Sequence, residues 1–313
     1  MTVTEHAVVE VIPQTGSRVL FENRGSLHVA RRTFENVRQM PFKGEFESEG
    51  GENFSGSIIA VLNSMGMKGE RVALDAIDSR RLLALLAEKF TFVDSGPIIA
   101  DASEVKTIDE IAIFKLNGAI GDAMLYDFES AIRPGIREHE LLAVLAESLY
   151  RNHGEGLFTR FVGSGRNTNP WMSEAHDKMV MPGDLVAVGT DANGYQGYVI
   201  DVSRTFLCGT NPTAGQREAY WVAYEAVRGM TELLKPGLSY EEFARLVPWL
   251  PERFRERRYG IMVHSAWLED GPLGIPYVED VEDGRFDFPI GPFYLIWFCV
   301  LSATRAQLTR PSG

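Results

Sequence analysis

Hydrophobic positions repeat along this chain with two periods, and their order predicts its architecture. In TIDEIAIFKLNGAIGDAMLYDFESAI (107–132) apolar residues return every three or four positions, the spacing that gathers them on one helix face. Thr107 followed by Glu110 predicts a capping box at the start of that helix. Arg133-Pro134-Gly135 predicts its stop. A second helix, REHELLAVLAESLYRNHG, and a strand, FTRFVGSG, come next. The succession returns about a hundred residues later. AGQREAYWVAYEAVRGMTELL is helical and stops at Lys235-Pro236-Gly237; YEEFARLVPWLPERF follows, bent at Pro248, and then a strand, YGIMVHSAW. RPGIREHEL (133–141) and KPGLSYEEF (235–243) share a cation, Pro-Gly, an aliphatic residue and an acid-bearing helix start. This predicts an internal duplication, with strands of both halves in one sheet, helices outside, and a cleft between the halves.

Ahead of the duplication, HAVVEVIP and RVLFE read as short strands and GEFESEGGENFSG as a polar loop. SIIAVLNSMGM is helical in period, RVALD is a strand, SRRLLALLAEKF is an amphipathic helix, and TFVD is a strand. Alternating helices and strands predict a small α/β domain over residues 1–103, leaving 104–313 to the duplicated domain.

Between the two halves lies GDLVAVGTDANGYQGYVIDVSRTFLC (183–208), two β-prone arms around a Gly- and Asn-bearing turn. Asp191 and Asp201 sit on the two arms. With the turn centred near Gln196 they face each other; a tight Asn193–Gly194 turn would move the register and separate them. Two adjacent carboxylates repel unless a proton or a cation lies between them, and a metal held by oxygen ligands is the simplest such cation. His264, on the strand IMVHSAW of the second half, is placed to approach the pair from the other side. A lone histidine in an apolar strand is ordinarily a satisfied core residue. Two aspartates and one histidine together form a hard donor set suited to Mn, Fe, Co or Zn. His6, His28, His139, His153 and His176 lie on helices, loops or the first domain and read as structural or surface residues.

Composition narrows the partners. The chain has 313 residues, 45% hydrophobic and 24% charged, enough for a sizeable core. A net charge of -12 argues against nucleic acid and anionic membrane as partners. Two cysteines, Cys208 and Cys299, make no disulfide framework, and a reducing cytoplasm is the expected compartment. The acidic first residues do not read as a signal peptide, and FYLIWFCVL is too short to span a bilayer.

The paired Pro-Gly layout, the hairpin and the downstream VHSAWLED resemble the creatinase, aminopeptidase P and prolidase family over residues 56–290. The resemblance implies an α+β, duplicated "pita-bread" fold and a one- or two-metal centre of two aspartates, one histidine and two later glutamates. Asp191, Asp201 and His264 match three of those positions. It also implies a homodimer acting on a small molecule or short peptide. Several positions depart from the peptidases. Their usual spacing would put the first acid at Thr190, Trp171 stands where they carry a histidine after the GSGRN loop, and Gly271 stands where they carry another. TNPW, the TD of the hairpin and Asp270 six residues after His264 are similar to a branch of dimethylsulfoniopropionate lyases. In that branch the metal acidifies a C–H beside the substrate carboxylate, and Asp270 is expected to take the proton as general base. Trp171 and Trp267 are expected to hold the sulfonium by cation–π attraction. Gly189 departs from the lyase pattern, which has an acid there.

The end of the chain does not follow the family. Beyond Asp287 there is no Asp or Glu, so neither expected glutamate ligand is present. The abrupt shift reads as a change of frame after about Ile290, leaving the second domain incomplete and its sheet with an open apolar edge. Glu279 and Glu282 lie before the expected strands and are not taken as ligands. Three functions therefore stand: a lyase of this family, a Xaa-Pro aminopeptidase or dipeptidase, and a family member or fragment without activity.

Overall fold

The computed structural model describes residues 9–40, 48–75, 90–169, 173–247, 250–255, 258–266, 268, 270–280 and 296–298. They belong to two compact units, Met1–Ile99 and Ala100–Gly313.

In the first unit β1 (Val9–Val11) runs antiparallel to β2 (Val19–Glu22), and β2 runs parallel to β3 (Val37–Gln39). A short helix, α1 (Leu27–Ala30), lies between β2 and β3 in the chain. Helix α2 (Ser48–Ser64) precedes a parallel pair, β4 (Arg71–Leu74) and β5 (Thr91–Asp94). Val19, Phe21, Met40, Ile58, Val61 and Leu62 form its core. The polar loop expected over 44–56 is corrected here: from Ser48 the backbone is already helical. The Ser, Glu and Gly of SEGGEN disguise the first turns, while Ile58, Val61 and Leu62 of the later turns are buried in the core. The helix expected over 79–90 lies almost wholly outside the described residues.

The second unit begins within α3 (Gly96–Glu104). Helix α4 (Ile108–Ala131) opens on the expected box: Glu110 N–H donates to Thr107 Oγ1 at 3.2 Å, and Thr107 N–H donates to Glu110 Oε2 at 2.7 Å. Helix α5 (Glu138–Arg151) packs on α4. Leu141, Leu145 and Leu149, at successive turns, are fully buried with Phe128, Val162, Val186 and Val188. The second half repeats the pattern with α6 (Ala214–Leu233), α7 (Tyr240–Leu246) and α8 (Glu252–Arg255). The two Pro-Gly turns share one backbone. Ile136 N–H bonds Arg133 O and Leu238 N–H bonds Lys235 O, with Gly135 and Gly237 at φ +86° and +91°. Glycine takes that left-handed conformation without the Cβ penalty, and proline pre-sets the residue before it, so both turns need this dipeptide.

Four strands pack under α4 and α5. β8 (Leu185–Asn193) pairs antiparallel with β9 (Val199–Leu207), with β6 (Gly156–Leu157) and with β7 (Phe161–Ser164). A second sheet has β10 (Ile261–Ala266) between β11 (Asp270–Pro276) and β12 (Ile296–Phe298). Among the described residues the strands of the two halves thus hydrogen-bond as two sheets rather than the single sheet expected from the duplication. β10 has a strand on each side, and one of them, β12, is drawn from the tail. Among the described residues, no helix is long and apolar enough to cross a membrane.

Candidate metal centre

The β8–β9 ladder runs without interruption from Leu185↔Leu207 to Asn193↔Val199, and places Asp191 directly opposite Asp201. The chain reverses through Gly194–Tyr198, with Gln196 at φ 61°. Of the two registers open to the sequence, this is the one centred on Gln196. Directly opposed residues project to the same face. An acid at 190 would be opposite Val202 instead; Thr190 is buried and donates to Thr159 O at 2.8 Å.

One face of α4 fixes this hairpin. The Tyr198 hydroxyl donates to Glu110 Oε1 at 3.1 Å, and its ring meets Phe114 edge-on with centroids 5.3 Å apart. Asn117 Nδ2 donates to Tyr198 O at 3.0 Å, while its Oδ1 accepts from Tyr195 N–H at 2.8 Å. Gly121 sits so near β9 that a Cβ there would meet Ile200 at 3.0 Å and Val202 at 3.2 Å. Residues 110, 114, 117 and 121 follow one another at intervals of about one turn, so a single stripe of the helix grips both the turn and the strand. Burial, then the bond and the charge of Glu110, push the Tyr198 phenol up to about 12. Burial alone would raise the Glu110 carboxyl. The hydrogen bonds from Thr107 and Tyr198 and the Lys106 charge outweigh it, and hold the group below its usual range.

His264 reaches the hairpin from the second sheet. Its Nε2 lies 3.0 Å from Asp201 Oδ2, and its side chain is 9% exposed against 20% for Asp201. The other ring nitrogen, Nδ1, is 2.9 Å from Ser265 O, a carbonyl that only accepts, which assigns a proton to Nδ1. In a neutral ring Nε2 then bears a lone pair and faces a carboxylate lone pair, so a second proton or a cation must lie between them. Metal–nitrogen and metal–oxygen bonds of about 2.0–2.2 Å put two donors on one ion about 3.0–3.4 Å apart. The separation and the tautomer at Asp201 and His264 therefore fit a divalent ion. Asp191 is held differently: its Oδ2 accepts from the Thr159 hydroxyl at 2.9 Å. Among the described residues, no group of three or more His, Cys, Asp and Glu side chains is drawn together around one point. The structure brings together Asp201 and His264, with Asp191 opposite Asp201 on the ladder.

The remaining candidates stand as follows. Asp270 opens β11 opposite Ala266, two residues along β10 from His264; its side chain lies outside what the structure describes. Trp171, Trp267 and Glu282 also lie outside the described residues. Glu279 is paired with Arg258 at 3.2 Å, as a loop acid would be.

Sequence reasoning missed three contributors. Asn117, a buried amide within an apolar stripe, left a readable signal: a polar residue on a core face needs a partner. Glu138, fully buried at the start of α5, accepts from Ser164 N–H at 2.7 Å, Ser164 Oγ at 2.8 Å, Asn167 Nδ2 at 3.2 Å and His176 N–H at 3.0 Å. It thereby ties both ends of the 164–176 loop, while Lys178 joins Ser164 Oγ to Asp184. Thr159 left no signal, because FTRFVGSG reads as one strand; the observed strand begins only at Phe161.

Residues 112–266 match the model of metallopeptidase family M24. The dimethylsulfoniopropionate lyase DddP of Roseovarius nubinhibens is 26% identical over 271 residues, 84% of this chain and 60% of that protein. The Xaa-Pro aminopeptidase of Escherichia coli is 29% identical over 154 residues, 49% of this chain and 34% of that protein. A recombinant prolidase from Thermococcus sibiricus matches in structure with a TM-score of 0.80 at 19% identity, over 94% of this chain and 77% of that one, a likeness of fold. The chain spans three-fifths or less of the length of these two curated relatives. Residues 112–266 thus match metallopeptidase family M24, and the chain is similar in fold to the prolidases.

Proposed function

We propose that this chain is a metal-dependent lyase that cleaves a small carboxylate such as dimethylsulfoniopropionate by base-assisted β-elimination. The observation that carries the reading is the Asp201–His264 contact beside Asp191, in a chain similar to a dimethylsulfoniopropionate lyase over 84% of its length. Asp191, Asp201 and His264 would hold a divalent ion: Fe, Mn, Zn or Co. When bound, that ion supplies Lewis acidity to the substrate carboxylate and so acidifies the neighbouring C–H. Asp270 takes the proton from that carbon; its electron pair forms the C=C bond of acrylate; the C–S bond breaks, and dimethyl sulfide leaves with its electrons. Trp171 and Trp267 orient the sulfonium by their faces. The same reading makes the enzyme a cytoplasmic homodimer.

A second reading, hydrolysis of Xaa-Pro peptides, is favoured by the likeness to the Escherichia coli aminopeptidase. Trp171 and Gly271 count against it, because neither moves a proton where the peptidase pattern has histidine. The purified chain, reconstituted in turn with Fe(II), Mn(II), Zn(II) and Co(II), separates the two. The lyase gives acrylate and dimethyl sulfide in equal amounts, abolished by a chelator. Release of proline from a dipeptide with no acrylate would establish the second reading, and no turnover with any of the four metals would leave a binding protein or remnant.

A further inference from the structure

We propose that the break between β6 and β7 is a device that positions Asp191 for the ion, with Thr159 as its acting residue. The inference rests on the metal-binding reading above. Leu157 pairs with Ala192 and Phe161 with Gly189, so three residues, Phe158, Thr159 and Arg160, stand against two, Thr190 and Asp191. One extra residue is a β-bulge, a local kink that re-aims side chains and is common beside active sites.

Here the kink turns Thr159 onto Asp191. Asp191 N–H donates to Thr159 Oγ1 at 2.6 Å, and the same hydroxyl donates to Asp191 Oδ2 at 2.9 Å. Asp191 O accepts from Phe158 N–H at 2.8 Å and from Thr159 N–H at 3.3 Å. Thr190 Oγ1 closes the set on Thr159 O at 2.8 Å. Four hydrogen bonds thus lock Asp191 to the bulge, one of them through its carboxylate, and a fifth ties its neighbour Thr190. The carboxylate bond engages Oδ2 of a residue directly opposite Asp201 on the ladder. The hydroxyl acts through Asp191, so Thr159 is a positioning residue. Partners of this kind typically change metal affinity by about 10–100-fold when removed.

The test is equilibrium binding of Mn(II) alone, by calorimetry, to the full chain and to Thr159→Val and Thr159→Ser. Thr159→Val is expected to weaken binding by about 10–100-fold, while Thr159→Ser, which keeps the hydroxyl, binds as the parent does. Equal affinity in all three would overturn the inference and leave the metal reading standing; an equal loss in both variants would overturn it too, as that marks packing rather than the hydroxyl. If the parent itself binds no Mn(II), both fall. Should Thr159→Val fail to fold, hydrogen exchange on the parent decides: Mn(II) is expected to slow exchange in the peptides spanning 157–161 and 190–192, and no change there would overturn the proposal.

Discussion

Asn117, on α4, bonds both limbs of the turn that carries the candidate aspartates: its Oδ1 accepts from Tyr195 N–H at 2.8 Å and its Nδ2 donates to Tyr198 O at 3.0 Å. The amide does for the hairpin what a further strand residue would do, but from a neighbouring helix. Asn117→Ala removes the acceptor of the half-buried Tyr195 N–H, at about 1–3 kcal/mol if water does not rescue it, while Tyr198 O keeps the Gly194 N–H at 2.9 Å. Urea unfolding is expected to show a loss in that range, with Asn117→Asp keeping part of the stability through the retained acceptor.

Glu110 joins the helix cap to the hairpin through Thr107 and Tyr198. Its carboxyl is held below its ordinary value of about 4.3, so it binds its proton less readily folded than unfolded. The stability it contributes is therefore fully present above the unfolded value and is lost as pH falls through the lowered folded value. Thermal melts of the parent and Glu110→Gln are expected to differ at pH 6–8 and to draw together as pH falls below the unfolded value of about 4.3 and through the lower folded one. A difference that grows on acidification would contradict this sign.

Glu138 is fully buried and receives four donors from the 164–176 loop. Hydrogen bonds to a charged group are worth about 1.5–3 kcal/mol each, so Glu138→Ala is expected to cost about 3 kcal/mol or more in unfolding free energy. Hydrogen exchange should locate the loss at Ser164 and His176, the two amides that donate to the carboxylate.

The packing of α4 on β9 yields a further expectation. A methyl at Gly121 would stand 3.0 Å from Ile200 Cγ2 and 3.2 Å from Val202 Cγ1, so those side chains must give way in Gly121→Ala. The helix gains propensity of about 1 kcal/mol from alanine, whereas overpacking costs about 1–3 kcal/mol. A net loss of stability is expected in denaturant unfolding, and a smaller loss when Gly121→Ala is made in an Ile200→Ala background, where Cγ2 is absent.

How much of this was legible depends on how local the signal is. The helices of the duplication, both Pro-Gly turns and the hairpin are written in short-range periodicity and in glycines that must take positive φ, as at Gly135 and Gly237. The pairing of Asp191 with Asp201 was open, since it turned on where the chain reverses; Gln196 at φ 61° decided it. The bulge at Thr159 was not legible, because inserting one residue into a ladder changes no periodicity over so few positions. The start of α2 was hidden for another reason: its first turns carry Ser, Glu and Gly, which favour loops by propensity, while the later turns bury Ile58 and Val61. The network of Glu138 joins residues up to 38 apart in sequence, and no local pattern encodes such a contact.

The central claim is that Asp191, Asp201 and His264 meet on one ion. Anomalous diffraction from crystals of the chain soaked in Mn(II) tests it directly. The account predicts a single strong peak about 2.0–2.3 Å from His264 Nε2 and from a carboxylate oxygen of each aspartate. A map with no peak there at saturating Mn(II), and with the Asp201–His264 hydrogen bond intact, would contradict it.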